Sequence, residues 1–142
     1  MITENLAPAL AVRSPARQST LDAIYAAAHL LLENERSAEA AHVFRLLLRV
    51  APRDERGWLG LGLCHERATQ VRVAIELYGA GSVVALSRGG GKSVRCFLAR
   101  ARVLADLGLD FDGALQAAEH AAREQCDDDL IALAAFERSR LS

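Results

Sequence analysis

Four groups of residues in this sequence have the types that chemistry uses. The run GGGKS at 89–93 invites a phosphate-binding loop, in which backbone N–H groups wrap an anion. That loop needs a glycine five residues before the Gly-Lys pair and a strand in front of it. The residue at that position is Leu86, and the preceding segment reads as helix, so a loop without nucleotide is expected. Asp127, Asp128 and Asp129 have metal-binding side chains. Three consecutive residues at a helix start point in different directions, and the favourable field of a helix N-terminus accounts for them. His29, His42, His65 and His120 show neither H-x-x-x-H nor H-E-x-x-H spacing. Cys64 and His65 are adjacent on one helix and so face apart, which disfavours a nucleophile–base pair. Lys92, Arg95, Arg100 and Arg102 make a locally basic stretch, read as a solvated face, with an anchor for an acidic partner as the alternative. No catalytic constellation emerges, so no enzyme activity, cofactor or metal is expected.

The three cysteines, Cys64, Cys96 and Cys126, are odd in number and widely spaced. That excludes a disulfide framework and a C-x-x-C zinc site and fits a reducing compartment. The net charge of −1 argues against a nucleic-acid partner, because neutralising phosphates takes a surplus of Lys and Arg. The first residues lack the basic start and apolar run of a signal peptide, and no stretch is long and apolar enough to insert into a membrane. A cytoplasmic location is the expectation.

What could position a binding surface instead is a repeat. On one helix Trp58, Leu61 and Gly62 stand at i, i+3 and i+4; on the next Ala74 and Tyr78 stand four apart. Glycine inside a helix costs about 1 kcal/mol against alanine, so Gly62 needs a packing reason. The reading is a hole that lets Ala74 approach, with Trp58 and Tyr78 filling either side. Thirty-four residues earlier, Ile24, Ala27, Ala28, Ala40 and Phe44 occupy the same places, and Pro52 closes that unit. This large–small pattern at this period is the tetratricopeptide signature. A looser third copy has Ala114 forty residues after Ala74, the extra six residues falling in SRGGGKS at 87–93.

The expected fold is all-α: three tetratricopeptide-type hairpins stacked into a short superhelix with a C-terminal capping helix. Residues 1–18 read as a flexible N-terminal arm with a short helical turn around Leu6–Val12, and 19–142 as the repeat domain. The repeats cover about 21–54, 55–88 and 94–126, and the cap 127–140. Ser19 or Thr20 caps the first helix, Ser37 the second and Asp54 the third. First helices of stacked hairpins line a concave surface. The positions left over from hairpin packing are Tyr25, His29, Leu32 and Glu33 in repeat one, Leu59, Leu63, Glu66 and Arg67 in repeat two, and Ala99, Val103, Asp106 and Leu107 in repeat three. They form an apolar floor with charged edges, a groove for an extended peptide or helix. The alternative occupants are the arm or a neighbouring subunit.

The stretch IYAAAHLLLENERSAEAAHVFRLLLRVAPRDERGWLGLGLCHE, followed by VAIELYGAGSVVAL, resembles the class II chaperones of bacterial type III secretion, the LcrH/SycD type. The cues are the Tyr-bearing first helix, Ala-x-x-x-Phe, the Leu-Gly-Leu-Gly run before a cysteine, and Ala-Ile-x-x-Tyr followed by Gly-Ala-Gly. The resemblance covers about residues 20–125. It implies a non-enzymatic cytosolic chaperone that holds a hydrophobic translocator in its concave groove and releases it for export. Tyr25, Leu32, Leu59, Leu63 and Glu66 would then be groove residues, and a homodimer through N-terminal helices is a partner state that the resemblance implies. Smaller tetratricopeptide relatives carry needle subunits instead, and a general peptide-binding adaptor is the reading from the repeat alone.

Overall fold

The structure, a computed structural model, describes residues 14–142. They form seven α-helices: α1 Pro15–Glu33, α2 Ser37–Val50, α3 Glu55–Arg67, α4 Val71–Val84, α5 Val94–Asp106, α6 Asp112–Glu124 and α7 Asp128–Leu141. The expected arm over 1–13, with its turn at Leu6–Val12, lies outside the described residues. The rest of that arm is helix. Pro15 takes the first helical position, where its missing N–H costs nothing and its fixed φ suits the helix, and Ser14 Oγ accepts the Arg17 N–H at 3.1 Å. This cap replaces the expected Ser19 or Thr20. Ser37 is not a cap either: Arg36 holds that place with no side-chain cap, and its guanidinium pairs with Glu39 at 2.6 Å. Asp54 caps α3 as expected, accepting the Arg56 N–H at 3.0 Å, and Asp127 caps α7 through the N–H groups of Asp129 and Leu130.

Consecutive helices pack as antiparallel hairpins, and α3 also touches α1 and α5, while α5 touches α7. The odd-numbered helices therefore form one layer and α2, α4 and α6 the other. Helices α1, α3 and α5 stop in the same way: Glu35, Thr69 and Gly108 take positive φ, and the next N–H returns to a carbonyl five residues back. Gly108 adopts this conformation freely; Thr69, β-branched, does so against a steric cost of about 1–2 kcal/mol.

Most of the repeat signature is core, although Ile24, Ala27 and Pro52 are exposed. Ala28, Ala40, Phe44, Ala74 and Tyr78 are all fully buried, and Leu61 and Ala114 nearly so. The glycines of α3 explain how rings this large fit between helices. A β-carbon on Gly60 would overlap the Phe44 ring, and one on Gly62 would overlap Tyr78. The hole at Gly62 thus receives the Tyr78 ring, rather than the expected Ala74. Trp58 is only half-buried, and its Nε1 donates to the Pro52 carbonyl at 2.8 Å.

The segment 85–93, read from sequence as an open glycine loop, is pinned at several points. Leu86 N–H donates to Arg53 O at 2.8 Å, and Ser93 N–H to Ala85 O at 3.2 Å. Ser87 Oγ and Gln125 Nε2 both donate to Lys92 O, at 2.9 and 2.8 Å. Ser93 Oγ caps α5 at Cys96 N–H and donates to Glu55 Oε1 at 3.1 Å. The three glycines serve a tight return: Gly90 has φ +94°, and a β-carbon on Gly91 would meet the Gln125 side chain.

Candidate functional site

The layer of odd-numbered helices opens a groove of about 350 Å³. Helix α3 supplies Arg56, Leu59 and Leu63; helix α5 supplies Arg95, Leu98, Ala99 and Arg102. Both sets recur at three and four residues, which places each on one helix face. His29 comes from α1 and the Tyr78 ring from α4. Leu133 and Glu137 come from α7, so the expected cap is also a wall of the groove.

Of the sequence-read groove residues, His29, Leu59, Leu63 and Ala99 line this space. Tyr25, Leu32 and Val103 do not: they are 2%, 3% and 1% exposed and sit in the core. The physical reason is packing against the second layer: Tyr25 and Leu32 share a cluster with Ala40, Phe44 and Leu47 of α2, and Val103 with Ala74 and Tyr78 of α4. Glu66 and Arg67 lie outside the lining. Arg67 donates to the Leu32 carbonyl at 3.3 Å and ties α3 to α1. Sequence reasoning gave Tyr78 a purely structural role and left out Arg56, Leu98, Leu133 and Glu137 altogether. The i, i+3, i+4, i+7 spacing of Arg95, Leu98, Ala99 and Arg102 was the signal that could have found the α5 face. It also corrects the reading of the basic stretch as one solvated surface: Arg95 and Arg102 face the groove, whereas Arg100 lies against Gly79 of α4.

Two of the groove arginines are tied down. Arg102 grips both oxygens of Glu66, at 2.9 and 2.7 Å, and the Tyr78 hydroxyl donates to the same carboxylate. Burial, and then this negative partner, push the Tyr78 phenol well above the ordinary tyrosine value. Arg56 pairs with Asp54 and with Asp22, both at 2.8 Å, and its guanidinium lies 4.0 Å over the Tyr25 ring. The Arg56 guanidinium in turn holds the Asp22 carboxyl below its usual range. Two charge pairs, 34 and 36 residues apart in sequence, thus bridge successive helices of the groove layer.

A second cavity of about 710 Å³ adjoins the groove and shares Arg56, Leu59 and Arg95 with it. Its walls are polar, with Asp22, Asp54, Glu55, Ser87 and Arg88. Nothing in either space resembles a reactive centre. Burial raises the Cys64 thiol and pushes the Cys96 thiol up to about 12, so neither is a nucleophile near neutral pH. His65 Nδ1 is held by Gln70 Oε1 at 2.6 Å. Among the described residues no His/Cys/Asp/Glu cluster has the arrangement of a metal site, and no helix is long and apolar enough to cross a membrane.

No family model and no curated protein matches the sequence. Solved structures do match the shape. The translocator chaperone SycD of Yersinia enterocolitica is 24% identical, with a TM-score of 0.71 over 87% of this chain and 89% of that one. SycD in complex with a peptide of the translocator YopD matches at 23% identity and 0.67, over 90% and 94%. The fold is that of the type III secretion translocator chaperones. PcrH from Pseudomonas aeruginosa shares it at 22% identity and 0.66, over 92% and 95%. The SycD-type architecture is the all-α stack read from the sequence, and it is reached here with a packed core and a groove built from α1, α3, α5 and α7.

Proposed function

We propose that this chain is a cytosolic chaperone for a type III secretion translocator, holding an apolar segment of that client in the concave groove. The observation that carries this reading is the groove itself: Leu59, Leu63, Leu98, Ala99 and Leu133 line it in a fold shared with SycD, which takes a translocator peptide. A translocator must enter a membrane, so its apolar segments aggregate in water; a partner must cover them and still let go. Modest apolar area with few anchoring contacts gives that balance, because residence time follows the depth of the few best-packed side chains. His29, Leu59, Leu63 and Ala99 are the groove contacts retained from the sequence, joined by Leu98 and Leu133. Tyr78, Glu66 and Arg102 keep the groove floor in shape beneath them.

The test is co-expression with candidate translocators, followed by size-exclusion chromatography of the soluble fraction. A soluble complex with a client that is insoluble alone is the expected result. A client that stays insoluble beside a folded chain would overturn the chaperone reading and leave a general peptide adaptor.

A further inference from the structure

Three arginines line the groove, and they are not equivalent. Arg56 is shared among Asp54, Asp22 and the Tyr25 ring, and Arg102 is spent on Glu66. Arg95 is exposed, lines both cavities at their junction, and makes no hydrogen bond or ion pair among the described residues. Glu55 is near enough to feel its charge but forms no direct ion pair with it, and Glu55 Oε1 accepts from Ser93 Oγ. Arg95 also sits where a cation is unfavourable. It lies in the first turn of α5, a turn with no acidic residue, and so adds its charge to the positive end of the helix dipole. A cation set against the helix dipole at the lip of a binding surface, with no direct ion pair to it among the described residues, points to a partner outside the chain.

We propose that Arg95 reads a carboxylate in the client, so that the groove selects an extended segment with an acidic residue two positions from an apolar one. This rests on the groove reading above and adds the class of segment. The spacing follows from α5. Leu98 and Ala99 lie three and four residues beyond Arg95, about 5–6 Å along the helix axis. An extended peptide lying along α5 presents every second side chain on the same face, about 6.5 Å apart. An Asp or Glu on Arg95 therefore places the apolar side chain two residues away over Leu98 and Ala99, facing Leu59 across the groove. The charge pair selects and orients the segment; the apolar contact holds it.

The experiment uses the full chain as bait for a phage-displayed random dodecapeptide library, with Arg95→Glu and Leu59→Glu as parallel baits and circular dichroism confirming that both variants fold. Wild type is expected to enrich Asp or Glu two positions from Leu, Ile, Val or Phe by about fivefold over the unselected library, the factor given by an ion pair at the upper end of the exposed range. Arg95→Glu is expected to exchange this preference for Lys or Arg, and the wild-type preference is expected to weaken when salt is raised. If peptides are enriched without an acidic preference, or if Arg95→Glu keeps it, the Arg95 assignment is wrong; loss of enrichment with Leu59→Glu then still supports the groove. If Leu59→Glu enriches the same peptides as wild type, or wild type enriches none, the groove reading fails together with this one.

Discussion

The Tyr78 ring occupies the space that a side chain on Gly62 would need. Two adjacent helices can approach because one gives up a β-carbon where the other brings a phenol. Gly62→Ala is therefore expected to lose stability although alanine is the better helix former. The overlap costs about 1–3 kcal/mol against a gain of about 1 kcal/mol in propensity, a net loss of up to about 2 kcal/mol. Gly113, in the first turn of α6, has open space around it, and Gly113→Ala is expected to gain up to about 1 kcal/mol. Urea midpoints of the two variants should move in opposite directions.

The same ring makes stability sensitive to alkali. Folding raises the Tyr78 phenol above its ordinary value through burial and the Glu66 carboxylate. Once the pH passes about 10 the unfolded phenol loses its proton while the native one keeps it. The native state then binds more protons, so stability falls as pH rises. Tyr78→Phe is expected to cost about 1 kcal/mol near neutrality, where the hydrogen bond to Glu66 is lost, and to flatten the decline above about pH 10. Paired urea melts at about pH 8 and about pH 11 measure both effects; a parallel decline in the two proteins would contradict the account.

Binding and folding should separate along α3 and α5. Leu59→Glu with Leu63→Glu is expected to abolish client retention while helicity stays near wild type, because both side chains are half-exposed on the groove. Val103→Ala and Leu32→Ala lie beneath the surface at 1% and 3% exposure. They are expected to cost about 1–3 and 2–5 kcal/mol respectively, and to weaken client retention only as far as they unfold the chain. Thermal melts beside pull-downs of the three variants sort the two classes.

Ser93 holds two things at once, the first turn of α5 and the Glu55 carboxylate. Ser93→Ala is expected to cost about 1–2 kcal/mol for the cap, with a pH signature besides. Burial raises Glu55 above the usual carboxylate value, while the Ser93 hydroxyl pulls the other way. Without that hydroxyl the carboxyl binds its proton still more tightly when folded. Stability then falls more steeply as pH rises above about 4, so the variant's deficit should be smaller at about pH 4 than at pH 7. Chemical denaturation at the two pH values checks it.

The repeat was legible because its packing leaves a periodic mark: Ala40 and Ala74, Phe44 and Tyr78 must recur for hairpins to stack at all. The groove was legible only in part. His29, Leu59, Leu63 and Ala99 were found because spare positions on the first helices face outward, but Tyr25, Leu32 and Val103 carry the same apolar signature as lining residues. Whether such a residue is exposed depends on how closely the next hairpin sits, which no single-helix pattern encodes. Arg102 was hidden for a related reason: its meaning depends on Glu66, 36 residues away. The start of α1 was misplaced because the stretch before Ser19 shows no sustained apolar period, whereas Ser14 followed by Pro15 starts the helix there.

The pinned segment around Gly90 changes what kind of object the stack is. In a simple solenoid each unit touches only its neighbours, and an end unit can fray while the rest stands. Here one short stretch is stitched to the junction after the first hairpin through Arg53, to the second through Glu55, and to the far end of the third through Gln125. A loss at any of these seams is felt at the others. Amide hydrogen exchange should accordingly report one shared opening for the three hairpins, so that the chain keeps its groove whole or loses it all.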